Sequence, residues 1–175
     1  MDNKEKKLIK DLTLIVVLAA ILFVQQLALS FIPNVQFSVL LVVLYTKTIG
    51  FKKTSLIILI HVILSSTISP FGALNIVLLP AMWLAWMLIP IILKTVLRKV
   101  ESSIYLSIFG LIYGFLYGWV FIPFTVWLLD TPFIPYLIMD IPFEIIMAIT
   151  NMITILWLYD PLKKALLTQI DINKL

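Results

Sequence analysis

Cysteine is absent from this sequence of 175 residues, which excludes disulfides, thiolate metal centres and cysteine nucleophiles. Histidine occurs once, at His61. There is no HExxH helix, no Ser–His pairing with supporting sequence and no glycine-rich phosphate loop. One histidine and a few acids match no metal-ligand spacing, so the residues imply no catalytic group, no metal and no cofactor. Charge is scarce as well: 13% of residues are Asp, Glu, Lys or Arg, against about 25% in a typical soluble domain. Glycine is rare, with 5 residues, whereas proline is common, with 9, mostly at the edges of apolar stretches.

What is abundant is apolar surface. Hydrophobic residues make up 62% of the chain, which predicts one all-α integral membrane domain over residues 1–175 with the lipid bilayer as its solvent. The basic and then apolar start superficially suggests a signal peptide. No small-residue cleavage site followed by a soluble domain appears, so it reads as a first membrane helix that is retained.

Six apolar segments can be drawn, at Leu12–Phe31, Val35–Thr46, Thr54–Ser69, Ile76–Val96, Ile104–Phe121 and Ile138–Tyr159. The second is short for about 30 Å of hydrocarbon. The stretch from Ile122 to Leu137 contains Pro123, Pro132 and Pro135 and is expected to be a structured loop or a short re-entrant piece.

The charges test this drawing. Lys4, Lys6, Lys7 and Lys10 precede the first segment, and Lys47, Lys52 and Lys53 separate the second from the third. Lys94, Arg98 and Lys99 separate the fourth from the fifth, and Lys163, Lys164 and Lys174 follow the sixth. Together these are all 13 Lys and Arg residues. With six spans and both termini in the cytoplasm, every one falls on the inner side, as the positive-inside rule requires. The net charge of +4 therefore records orientation and gives no reason to expect nucleic acid. The opposite face has no Lys or Arg in its connections. It carries Asp130 and Asp140 with Trp119, Trp127, Phe133 and Tyr136, aromatics that read either as an interface belt or as a ligand cage.

Asp140, Glu144 and Asn151 fall within about 40° of one another on a helix and make a polar stripe on a segment that otherwise belongs in lipid. Ionisable groups at such depth usually face a cavity or the protein interior. Asp140 before Ile141-Pro142 reads as a helix N-cap, a ligand contact or both. Glu144 lies one turn deeper than a capping box reaches and points to a ligand or a polar network. Asn151 is either a ligand group or a hydrogen bond between helices. His61 is either a helix–helix hydrogen bond or a further cavity group. Trp83 and Trp86, three residues apart, form either packing at the membrane interface or an aromatic wall that stacks a flat ring.

Six spans in this length, with both ends inside and a loop-rich outer face, resemble the substrate-binding S components of energy-coupling factor (ECF) transporters. The pieces that carry the resemblance are Ile32-Pro33-Asn34-Val35-Gln36, Pro80 to Trp86, and Asp140-Ile141-Pro142-Phe143-Glu144 through Asn151 to Tyr159-Asp160-Pro161-Leu162-Lys163. The resemblance implies a multi-pass protein of a prokaryotic cell membrane. It implies a vitamin or related small molecule bound near the outer face, with Asn34 and Gln36 joining the residues named above. It also implies a transmembrane coupling subunit and two ATPase subunits as partners. The family's first helix often docks through Ala-x-x-x-Ala spacing; here the corresponding residues are Ala20, Val24 and Ala28, with the middle small residue replaced.

The outer half offers acids and aromatics without a fixed cation. A neutral or cationic heteroaromatic of the thiamine, aminopyrimidine or pyridoxine type suits it better than an anion. The rival readings are a stand-alone secondary carrier and a structural or accessory membrane protein whose polar stripe only holds helices together.

Overall fold

The computed structural model describes residues 2–68 and 78–172, and among these the chain is helical, with no strand. The helices are α1 (Asn3–Ala28), α2 (Ser38–Thr48), α3 (Phe51–Thr67), α4 (Leu79–Lys94), α5 (Ser103–Leu129) and α6 (Phe133–Ile172). The expected end of the third apolar segment and start of the fourth fall within 69–77, outside the described residues. Three helices, α1, α5 and α6, are long and apolar enough to cross a membrane, and α2 and α4 are apolar but shorter.

The bundle is built around its shortest helix. α2 touches all five others, and every residue from Ser38 to Tyr45 is buried. A helix that is apolar all round belongs inside protein. Enclosed in this way, α2 is about 16 Å long and turns almost no surface outward between Ser38 and Tyr45. The other helices bury one stripe and turn the opposite side outward. Val16 and Val24 of α1, Ile63 of α3, Ile112 of α5 and Ile145 and Trp157 of α6 are all exposed. Apolar surface spread over the outside of every peripheral helix is the pattern of a protein solvated by hydrocarbon.

The basic clusters gather at one end. Lys53 of α3 pairs with Asp11 of α1 at 2.6 Å. Lys94 of α4 sits over the Phe51 ring of α3, 4.6 Å from its centroid. Glu101, before α5, pairs with Lys163 of α6 at 2.5 Å and lies 3.8 Å from Lys47 of α2. The Lys47 ammonium also donates to the Leu97 carbonyl at 2.8 Å, closing the end of α4. These contacts fix an alternating arrangement in which α1, α3 and α5 leave the basic end and α2, α4 and α6 return to it.

The short connections follow from local chemistry. Gly50 joins α2 to α3 with φ 85°. A Cβ there would meet nothing within 4 Å, so the left-handed backbone, not crowding, selects glycine. Asp130 ends α5 in the left-handed region, at φ 49°.

The expected loop at Ile122–Leu137 is instead almost wholly helical. α5 runs through Pro123 to Leu129, and α6 begins at Phe133 and continues through Pro142 and Pro161. Proline removes one backbone hydrogen bond, but a backbone in an apolar surrounding has no water to turn to, so the helix persists around it. Asp140 consequently lies about two turns inside α6 and is not its N-cap. The second segment is also displaced, with α2 starting at Ser38 and not at Val35.

Candidate functional site

The α5–α6 pair is the most extensive helix contact in the protein. Its geometry is written into α5 as a four-residue repeat: Phe109-Gly110, Tyr113-Gly114, Tyr117-Gly118, then Phe121. The glycines face α6. A Cβ on Gly110 would approach Asn151 at 3.3 Å, one on Gly114 would overlap the Ala148 backbone, and one on Gly118 would overlap the Glu144 carboxylate. Small residues in this spacing let two helices approach closely in a membrane.

The aromatics stand one residue away and form a ladder. Phe109–Tyr113, Tyr113–Tyr117 and Tyr117–Phe121 have centroid separations of 6.0, 6.2 and 4.9 Å. Trp86 of α4 packs on the ladder, 5.4 Å from Tyr117. Tyr113 donates its hydroxyl hydrogen to the Ala85 carbonyl at 2.8 Å, next to the carbonyl that Pro90 leaves free in α4.

Away from the basic end, the two helices part around a cavity of about 180 Å³. Tyr117, Gly118 and Phe121 form one wall, Tyr136, Asp140 and Glu144 form the other, and Asn34 reaches in from the α1–α2 connection. Asn34 adopts φ 59° and donates from Nδ2 to the Phe143 carbonyl at 2.9 Å, tying that connection to α6. Glu144 is 3% exposed, and its Oε1 has no hydrogen-bond partner among the described residues. The Trp119 indole stands beside its carboxylate, and Asp140 lies one turn above it, half-buried. Among the described residues, no Lys, Arg or His lines the cavity.

Such a site can accept hydrogen bonds from N–H donors, attract positive charge and hold a flat ring against Tyr117 and Phe121. A cavity of about 150 Å³ accommodates benzene, so the space here suits a single ring.

The structure brings Asn34, Asp140 and Glu144 together at this cavity and places the other candidates elsewhere. Asn151 is buried two turns deeper and donates from Nδ2 to the Gly110 carbonyl at 3.3 Å, a bond between helices. Trp86 is buried behind Tyr117 and reaches the cavity only through it. Trp83 is 40% exposed on the outer side of α4. Residues three apart lie about 60° off a common line, and here that angle spans the boundary between core and lipid face. His61 is fully buried with its ring edge-on to Trp86, centroids 5.6 Å apart, and neither ring nitrogen has a partner among the described residues. Gln36 accepts from the Ser38 hydroxyl, which in turn accepts from Gln25 Nε2 at 2.6 Å. That network braces the end of α1. Ala20, Val24 and Ala28 lie on the exposed face of α1.

Tyr117, Phe121, Thr125 and Tyr136 also line the cavity. The signal for the first two was the aromatic–glycine repeat of α5, in which three of the five glycines in the chain recur at intervals of four. The chain matches no protein-family model, no curated protein and no solved structure.

Proposed function

We propose that this protein is the substrate-binding membrane subunit of an ATP-driven importer of the ECF type. In this reading all six helices lie in the cell membrane, both termini are cytoplasmic, and the acidic cavity opens toward the outside. The ligand is a neutral or cationic heteroaromatic, and the cavity volume favours a single ring such as an aminopyrimidine or a pyridine. ATP hydrolysis belongs to partner ATPases, coupled through a transmembrane subunit that docks on the Ala20–Val24–Ala28 face of α1.

One observation carries the reading. Glu144 is a buried carboxylate with an oxygen that has no partner among the described residues, and it borders a cavity walled by aromatics away from the end where Lys47, Lys53, Lys94 and Lys163 lie. A buried acid needs a compensating partner, and among the described residues no cationic side chain lines the cavity to supply one. A ligand with N–H donors or positive charge does so, and Tyr117 and Phe121 supply its stacking surface.

A structural role for the same helix face is favoured by Asn151, which spends its amide on Gly110. That bond lies two turns from the cavity and leaves Glu144 Oε1 without a partner among the described residues. The reading is tested by purifying the protein in mild detergent from cells grown in rich medium, denaturing it and identifying released small molecules by mass spectrometry. A stoichiometric heteroaromatic with coupling and ATPase subunits in the same preparation is expected. A bound ligand whose uptake follows an ion gradient with no ATPase would make the protein a secondary carrier. An empty protein that binds no heteroaromatic would leave only the structural role.

A further inference from the structure

A second cavity, of about 140 Å³, adjoins the first. It is lined by Trp119, Ile122, Phe133 and Leu137, so its surroundings are apolar except for the indole N–H. Ile122 lines both cavities. Trp119 also joins them, lining the second while its indole stands beside Glu144 of the first. The second cavity reaches the outer surface of the α5–α6 pair, where Trp119 is 55% and Phe133 47% exposed.

We infer that the ligand is amphiphilic: its ring occupies the acidic cavity, and a short apolar substituent passes Ile122 into the groove between Trp119 and Leu137. This rests on the proposed binding function and narrows its substrate class. A cationic or N–H-bearing head is drawn to Asp140 and Glu144, and the space next to that head is closed by apolar side chains. A polar substituent there would lose its hydration without replacement, whereas an alkyl group would gain from burial. The groove is small, which suits a few carbon atoms and not a whole lipid acyl chain.

The test uses the full-length protein in detergent and N-alkylpyridinium salts from methyl to heptyl as probes. Affinity is expected to rise about fourfold per added methylene and to level off once the groove is full. Leu137 lines only the groove. Leu137→Trp, which fills it, should flatten the series while leaving N-methylpyridinium affinity within about twofold. If that variant does not fold, Leu137→Ala, which enlarges the groove, should move the plateau to a longer chain. A flat series in the unmodified protein would overturn the inference, as would a rise identical in the unmodified protein and the Leu137 variants. In the second case the tail dissolves in detergent, or a lipid chain holds the groove. Failure of the underlying reading is distinct: no probe, N-methylpyridinium included, would bind, or binding would be indifferent to Glu144→Gln.

Discussion

Gly118 of α5 faces Glu144 of α6 so closely that a methyl group at position 118 would overlap the Glu144 carboxylate and come within 3.0 Å of Asp140 Oδ2. The absence of a side chain at Gly118 is therefore what gives the two acids their place. Gly118→Ala must displace the carboxylate, the mobile end of a side chain, so folding should lose less than about 1 kcal/mol. Ligand affinity should fall at least about tenfold, equivalent to about 1.4 kcal/mol. Gly114→Ala meets the backbone of Ala148, which cannot rotate aside. It should destabilise the protein by about 1–3 kcal/mol. Unfolding in mixed micelles and equilibrium binding, measured on both variants, separate the two effects.

Asn151 should behave as a fastener between helices. Its Nδ2 donates to the Gly110 carbonyl across the α5–α6 interface, and hydrogen bonds between helices in membranes average about 0.6 kcal/mol. Asn151→Ala should reduce stability by about that much and leave ligand affinity within about twofold. A tenfold loss of affinity at unchanged stability would place Asn151 in the site.

The two tryptophans of α4 should part company. Trp86 is 1% exposed between His61 and Tyr117, so Trp86→Ala should cost about 3–5 kcal/mol. Trp83 faces outward, and Trp83→Ala should change stability by less than about 0.5 kcal/mol and affinity not at all. Thermal unfolding of each variant, followed by circular dichroism, decides this.

The absence of cysteine makes orientation directly measurable. A single cysteine at Asn34 should react with an impermeant maleimide added to intact cells. One at Lys99 should react only after the membrane is opened. The reverse labelling pattern would invert the protein and put the acidic cavity on the cytoplasmic side.

Much of this arrangement is readable from the residues because charge is so expensive in hydrocarbon. Confinement of Lys and Arg to four stretches marks the helix ends, and the acids Asp140 and Glu144 in an apolar segment mark the candidate site. The Pro123–Pro135 region is misleading because proline breaks helices most readily where water can take up the freed groups, and both α5 and α6 continue through their prolines. The depth of Trp83 and Trp86 is not legible because a helix wheel gives relative angles but not which side the neighbours occupy. Conversely, the aromatic–glycine repeat from Phe109 to Phe121 underlies both the close approach of α6 and the aromatic wall, yet nothing in the residues alone singles it out. Its meaning emerges only with the knowledge that α6, carrying Glu144, is the partner.

The most direct test of the central claim is titration calorimetry of the purified protein with thiamine, an aminopyrimidine and a pyridoxine-type ring, repeated on Glu144→Gln and Asp140→Asn. The account predicts saturable binding of at least one of these rings. It also predicts a loss of at least tenfold in Glu144→Gln and a smaller loss in the half-exposed Asp140→Asn, with both variants folded. Binding of equal strength in all three proteins would contradict it, because the ligand would then lie elsewhere and the buried carboxylate between α5 and α6 would have no part in holding it.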